Sequence, residues 1–426
     1  MPTPWVRNVA VGGGMALASV YAYGTARYRR SAAAGFDLPD PAAPGTPDFA
    51  RLVEALTGAP VRRGNRVKVL RNGDETFVEM LDAIRAAERS VDLSSYIYWP
   101  GKVTERFTDA LTERARAGVE VNVVLDGYGS AKLDRDHVHR LEASGVRVSF
   151  IRPPRLYTLD KLNNRMHRRL LIVDGMVGFA GGVGIADVWD GNAQDPDHWR
   201  ETHVRIEGPA VRDVLGGFLE NWTTATQGIL GRSHLPPLPE HDGGVDVHVT
   251  RSSASGGGTA AARLFYSVIA GARERLWVTT AYFTPGQAFV DVLAAAARRG
   301  VDVRILVNGH HVDKDVVRRT GQLRYDALLD AGVRIFEYQR TMLHAKVMIV
   351  DGGWANIGSS NFDHRSFGLD DEINVAFYDA SLVTELEKHF VDDLDASEEI
   401  DLERWRNRPL RRRVAERAGD LARQSF

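Results

Sequence analysis

His344-Ala345-Lys346, the apolar run Val347 to Val350, Asp351 and then Gly358-Ser359-Ser360-Asn361 are echoed earlier in the chain. The echo is His167-Arg168-Arg169, Leu170 to Val173, Asp174 and Gly181-Gly182. In each copy an imidazole and a fixed cation lie two positions apart, so on a strand both side chains leave from one face. Such a wall carries a nucleophile or proton donor beside a charge that holds non-bridging oxygens, which is what phosphoryl chemistry requires. Either histidine alone reads as an ordinary polar residue at a strand end. Two in matched settings predict one site assembled from two halves.

The elements that carry these residues also repeat. Arg116-Ala117-Gly118-Val119-Glu120-Val121-Asn122-Val123 answers Arg298-Arg299-Gly300-Val301-Asp302-Val303-Arg304-Ile305. Leu141-Glu142-Ala143-Ser144-Gly145-Val146 answers Leu329-Asp330-Ala331-Gly332-Val333, and Tyr98-Trp99-Pro100-Gly101 answers Phe283-Thr284-Pro285-Gly286. The first two matches predict a helix stopped by glycine and followed by a buried strand. Displacements of 182, 187 and 177 residues, from 118 to 300, 145 to 332 and 167 to 344, are those of a duplicated α/β unit with small insertions. The Gly- and Pro-rich stretch from Gly231 to Gly258 divides the halves.

Composition suits two globular domains with sizeable cores, since 44% of the 426 residues are hydrophobic and 26% charged. Zero cysteines exclude a disulfide framework, thiol catalysis and thiolate-bound zinc. Lys+Arg at 54 against Asp+Glu at 56 leaves a formal charge of −2, which does not announce a nucleic-acid partner.

Residues 9–26 carry no formal charge and lie between Arg7 and the cluster Arg27, Arg29, Arg30. Their length is near the lower limit for a bilayer span. A membrane anchor within residues 1–30 leads over a signal peptide or a peripheral helix, and the arginines after it place the body on the cytoplasmic side. Residues 31–60, punctuated by Pro39, Pro41, Pro44 and Pro47, read as a semi-rigid tether rather than a fold element. At the other end, 401–426 reads as a basic helix. Arg404, Arg406, Arg408 and Arg411 to Arg413 either form a solvated face or, with Trp405, rest on anionic headgroups.

The paired motif resembles that of the phospholipase D superfamily, and within it the bacterial cardiolipin synthase branch. The second copy fits in full, continuing through Asn361-Phe362-Asp363-His364-Arg365-Ser366 to Glu372. Trp199-Arg200-Glu201-Thr202-His203-Val204 and Tyr282-Phe283-Thr284-Pro285 resemble further segments of the branch. The first copy departs from it twice, with Arg169 for the family's lysine and Gly184 where an asparagine usually sits. Arginine keeps the charge but reaches differently from an ammonium, and the glycine removes a donor to phosphate.

The resemblance implies an α/β fold of two similar domains, 61–235 and 245–400, each a mixed sheet flanked by helices and related by a pseudo-two-fold axis. It implies that one histidine attacks phosphorus and the other protonates the leaving alcohol and later deprotonates the acceptor. His167 is the expected nucleophile and His344 the acid and base, an order that the sequence alone leaves open. Arg169, Lys346 and Asn361 would hold phosphate oxygens, with main-chain amides at Gly181-Gly182 and Gly358-Ser359 as further donors.

Each imidazole also needs an acceptor for its second nitrogen. Alignment of the repeats offers Glu201 and Glu372, whose alternative is to be surface carboxylates. Asp174 and Asp351, counted with the catalytic set, close their strands and are expected to fix the motif's backbone and basic partners. His310-His311 with Asp313 suggests a metal, but a polar loop at the substrate mouth is the stronger reading, and the chemistry calls for no metal and no cofactor. The substrate is expected to be phospholipid at a membrane surface, worked on by a monomer. Two phosphatidylglycerol molecules would give cardiolipin and glycerol. The alternatives are a hydrolytic phosphodiesterase, of lipid or less readily of nucleic acid, and a non-catalytic lipid-binding relative.

Overall fold

The computed structural model describes residues 35–153, 164–253 and 259–408. The candidate anchor at 9–26 and Arg411 to Arg413 lie outside them. The first half contributes strands β1 (Val61–Arg71), β2 (Ser90–Ser95), β3 (Glu120–Asp126), β4 (Arg147–Ile151), β5 (Leu170–Val173), β6 (Val177–Gly181) and β7 (Thr202–Glu207). The second contributes β8 (Val245–Ser252), β9 (Arg275–Thr279), β10 (Phe283–Thr284), β11 (Asp302–Asn308), β12 (Arg334–Tyr338), β13 (Val347–Val350), β14 (Trp354–Gly358), β15 (Phe362–Asp363), β16 (Glu372–Tyr378) and β17 (Ser397–Glu399).

Helices α1 (Pro47–Thr57), α2 (Asn72–Arg85), α3 (Lys102–Arg116), α4 (Arg135–Ala143) and α5 (Val211–Thr226) precede the midpoint. After it come α6 (Ala260–Gly271), α7 (Gln287–Arg298), α8 (Asp315–Gln322), α9 (Tyr325–Asp330), α10 (Ala380–Leu394) and α11 (Leu402–Arg406). Among the described residues no helix is long and apolar enough to cross a membrane.

The repeat is visible as strand order. One half runs β4-β3-β2-β5-β6-β7-β1 and the other β12-β11-β9-β13-β14-β16-β8, with β17 added at the edge. The two are not separate sheets. β1 and β8 pair antiparallel, with Val61 opposite His248 and Arg62 opposite Val247, and fuse the halves into one 15-stranded sheet about a pseudo-two-fold axis. The stretch expected to divide the halves therefore contains β8, one of the two strands that join them. Gly118 (φ 91) and Gly300 (φ 94) take the same left-handed stop between helix and strand, which favours glycine.

A central core crosses the seam, bringing Leu170, Ile172, Val204 and Phe218 of the first half together with Ile349, Ile357, Val375 and Phe390 of the second. This shared apolar layer holds β5 and β13, and so both histidine strands, in one frame.

The N-terminal stretch corrects the tether reading. Thr46 caps α1 by accepting from Phe49 N at 3.2 Å, Pro47 sits in its first turn, and Phe49 and Val53 are wholly buried in the second half's core. Burying each such side chain contributes about 1.5–3 kcal/mol. Thr-Pro-Asp ahead of Phe49 and Val53 is a helix-start signal that the proline density obscured. At the far end Trp405 corrects the headgroup reading, because its ring is buried against Tyr325 at 5.1 Å while Arg408 covers it at 4.1 Å. Arg404 and Arg406 are exposed.

Candidate active site

His167 and His344 stand just before β5 and β13, inner strands flanked on both sides by other strands. Each is stitched to a chain segment from the other half. His167 N donates to Asp371 O at 2.9 Å and Asp371 N to Arg165 O at 2.8 Å. Likewise His344 N donates to Arg200 O at 2.7 Å and Arg200 N to Met342 O at 2.9 Å. Since Asp371 precedes Glu372 and Arg200 precedes Glu201, each stitch delivers a carboxylate to a histidine of the opposite half.

The side chains complete the crossing. Glu372 Oε1 lies 3.0 Å from His167 Nδ1 and Oε2 3.2 Å from it. Glu201 Oε2 accepts from His344 Nδ1. Both carboxylates are fully buried, as are Arg169 and Lys346 beside them. Arg169 donates to His167 Nε2 at 3.1 Å and to His167 O at 2.6 Å. Lys346 behaves differently, since its ammonium donates to His344 O, lies 2.9 Å from Nδ1 and stands 3.8 Å from Glu201. With the Nδ1 proton directed at a carboxylate, the lone pair of the imidazole resides on Nε2.

Two buried cations and two buried carboxylates surround the imidazoles, and each group feels the rest. Burial first, and then the charges of Arg169 and Lys346, hold both histidines well below the usual imidazole range. His167 adds to the lowering of His344. Burial pushes Glu372 up to about 7 against donors from Ser359 and Ser366, and pushes Lys346 down to about 7 against the pull of Glu201. Glu201 is raised by the same loss of solvent.

The halves are chemically unequal around this shared plan. Ser359 donates its hydroxyl to Glu372, whereas a Cβ on its counterpart Gly182 would lie 2.3 Å from Glu201 Oε2. Asn361 is buried with its side-chain oxygen unpartnered. At the matching Gly184 a Cβ would meet the Trp189 ring at 2.8 Å and Ile97 at 3.1 Å, so the missing asparagine has been displaced by an indole. Trp189 and Trp199 both pack on His344 with ring centroids 5.4 Å away, while His167 meets the edge of Tyr96 at 5.1 Å. The repeat that sets Glu372 over Glu201 sets Asp370 over Trp199, and Asp370, bound to Arg365 at 2.9 Å, acts on His167.

Of the residues singled out in the sequence, His167, Arg169, Glu201, His344, Lys346, Ser359 and Glu372 converge. Asp174 and Asp351 do not. Asp174 accepts from the amides of Glu88, Arg89 and Ser90 at 2.7–3.0 Å, and Asp351 from those of Arg273, Glu274 and Arg275 at 2.8–2.9 Å. At the far ends of β5 and β13 they fix the start of β2 and β9, a scaffold role rather than a place among the catalytic side chains. The hydroxyl of Ser359 donates to Glu372, and its main-chain amide donates to Ile373 O at 2.9 Å. His310 is exposed and bound to Gln339 at 2.6 Å, and Asp313 accepts the hydroxyl of Tyr282 at 2.7 Å. Tyr96, Trp189 and Trp199 were not anticipated at the site, although Trp199 stands two residues before Glu201.

A family profile described as "Cardiolipin synthase, PLD-like domain" matches residues 80–214 and 265–394. The chain is 36% identical over 379 residues to the cardiolipin synthase of Alkalihalophilus pseudofirmus, covering 87% of this chain and 74% of that one. It is 34% identical over 384 residues to the cardiolipin synthase of Geobacillus kaustophilus, covering 89% and 76%. Phosphatidylserine synthase of Haemophilus influenzae shares the fold with a TM-score of 0.66 at 13% identity, over 89% of this chain and all of that one.

Proposed function

The chain belongs to the cardiolipin synthase family of phospholipase D-like proteins, and from that membership we propose that it is a phosphatidyltransferase making cardiolipin from two molecules of phosphatidylglycerol. The observation that carries the reading is the crossed pairing of His167 with Glu372 and His344 with Glu201 around Arg169 and Lys346. Two imidazoles with oriented tautomers and two interposed cations are the equipment for in-line displacement at a phosphodiester through a covalent intermediate.

His167 Nε2 bonds to phosphorus as the bond to the glycerol oxygen breaks, and His344 gives that oxygen its proton. A second phosphatidylglycerol then offers a headgroup hydroxyl. Its proton passes to His344, its oxygen takes the phosphorus, and the phosphorus–nitrogen bond breaks to regenerate His167. Glu372 and Glu201 orient the imidazoles and offset the imidazolium charge. Arg169, Lys346 and Asn361 hold the phosphate oxygens, with the main chain at Gly182 as a further donor. In the free site the cations suppress both imidazoliums, and a phosphate anion lodged between them lifts that suppression, so His344 acquires its proton as substrate enters.

Both half-sites belong to one polypeptide, so a monomer suffices. Phospholipid substrate places the protein at a membrane surface, with residues 9–26 as the anchor and the body on the cytoplasmic side. Thin-layer separation of products from labelled phosphatidylglycerol tests the reading. Cardiolipin with free glycerol is expected, phosphatidic acid would indicate hydrolysis, and no turnover would indicate a binding protein.

A further inference from the structure

Directly behind Glu201 the halves are joined by a buried ion pair that the chemistry above does not use. Arg200 and Asp393 are each 3% exposed. Arg200 Nε donates to both oxygens of Asp393, on α10, at 3.0 Å, and Nη2 lies 2.9 Å from Oδ2. The remaining nitrogen, Nη1, donates to the main-chain oxygen of Glu201 and to Thr202 Oγ1 at 3.0 Å. Asn72 completes the clamp, its side-chain oxygen accepting from Glu201 N at 2.9 Å and its main-chain N–H donating to Glu201 O at 3.0 Å. Arg200 is also the residue whose backbone brackets His344. One residue therefore ties three parts together, its guanidinium holding the peptide of the carboxylate and a helix of the other half while its backbone oxygen accepts from His344 N.

The opposite pair is held by other means. Asp371, at the matching position, is bound by Arg152 at 2.8 Å and by Asn221 at 3.1 Å, and Glu372 O accepts from Arg168 Nε at 3.1 Å. Charge at the position before the glutamate is thus reversed between the halves, and the two clamps share no residue.

We propose that Arg200 and Asp393 form a positioning pair for one half of the site, holding Glu201 in register with His344 and leaving the His167–Glu372 pair to its own clamp. The inference rests on the roles assigned above to Glu201 and His344. Misplacement of a catalytic group by about 1 Å costs up to about 100-fold in rate. Charged and titratable groups around the knot are Arg71, which reaches Asp393 at 3.2 Å and Asp392 at 2.8 Å, together with His389 and Tyr338, both held neutral by burial. Those facing His344 are Glu201, Lys346, Arg169, His167 and Lys314.

The internal symmetry supplies the control. In full-length protein labelled with ¹⁵N-histidine, the Nδ1 protons of His167 and His344 give separate low-field signals, assigned with His167→Ala and His344→Ala. Asp393→Asn is expected to displace or broaden the His344 signal, leave that of His167 in place, and lower kcat for cardiolipin formation about 10- to 100-fold without changing KM. The unpaired Arg200 charge is also expected to move the alkaline limb of the kcat profile to lower pH, because it disfavours the imidazolium.

An unmoved His344 signal, or equal displacement of both, would overturn the proposal, the latter showing only a structural staple. Where Asp393→Asn gives no cooperative melt, Arg200→Lys, which keeps the charge but loses the fork, is read by the same two signals. If the signals behave as expected and the unaltered protein makes no cardiolipin, the functional reading falls and the positioning pair stands.

Discussion

Glu372 of the second half accepts the Nδ1 proton of His167 of the first at 3.0 Å, although 205 residues separate them in the chain. Glu201 reciprocates by pairing with His344, so each histidine of the paired motif takes its carboxylate from the opposite half. An arrangement of this kind ties activity to the docking of the halves, because sliding one against the other would remove both carboxylates together.

Replacing Glu372 by Gln keeps the shape but removes the negative charge and turns one of the two oxygens facing His167 Nδ1 into a donor, so the Nδ1 tautomer is no longer enforced. We expect kcat to fall by about 1,000-fold or more, as for loss of an orienting carboxylate elsewhere, with the melting temperature little changed. Rates within a few-fold of the unaltered protein would deny the carboxylate its part.

His344→Ala is expected to abolish cardiolipin formation while a cooperative melt persists. Retained turnover would refute the two-histidine mechanism.

Arg169→Lys restores the residue usual in the family. In the present structure Arg169 donates to the Nε2 atom that must attack phosphorus, whereas Lys346 stands at the other ring nitrogen, Nδ1, of its histidine. Equal or higher kcat is expected from the lysine variant. A large loss would show that the guanidinium's paired donors serve the transition state.

Gly184→Asn, the other restoration, is expected to harm the protein. Its Cβ would enter the Trp189 ring, at a cost of about 1–3 kcal/mol for overpacking. Because that ring leans on His344, turnover should drop as well. A more stable or more active variant would show that the indole moves freely.

Proton linkage gives two checks of opposite sense. His167 and His344 are depressed, so the free protein holds them neutral near pH 7, and a bound phosphodiester should draw in about one proton per site. Calorimetric titration with a non-cleavable phosphonate analogue, in buffers of different ionisation enthalpy, measures that uptake. Binding without it would contradict the proposed acid step.

His234 shifts the other way. It is buried between Asp92 at 2.7 Å and Glu120 at 3.0 Å, and although burial opposes its charge, the two carboxylates raise it above 6.5. A raised histidine binds its proton more tightly when folded, so its contribution is fully present below pH 6.5 and is lost as pH rises through the folded value. Asp92, raised by burial, has the same sign, its contribution being lost as pH rises above its ordinary value of 3.8. The fall in melting temperature as pH rises above about 6.5 should therefore be shallower in His234→Gln than in the unaltered protein. Parallel curves would remove the linkage.

Local pattern was enough to read the duplicated α/β unit, the glycine stops at Gly118 and Gly300, the histidine strands, and Glu201 and Glu372 as carboxylates that meet the imidazoles. Each of these rests on a short-range rule, a two-residue strand period or a helix stop, or on a displacement that repeats. Which glutamate serves which histidine was decided only by tertiary structure. The repeat relates Glu201 to Glu372 and His167 to His344 but is silent on whether carboxylates stay in their own half or cross. The bridges between Met166 and Asp371 and between Arg200 and Leu343, each joining one half to the other, settle it. The same holds for Arg200 with Asp393, for Trp189 in the space of an absent asparagine, and for Phe49 in the core of the distant half. All are contacts between residues far apart in sequence, created when one apolar layer closes over both halves and visible in no local window of the chain.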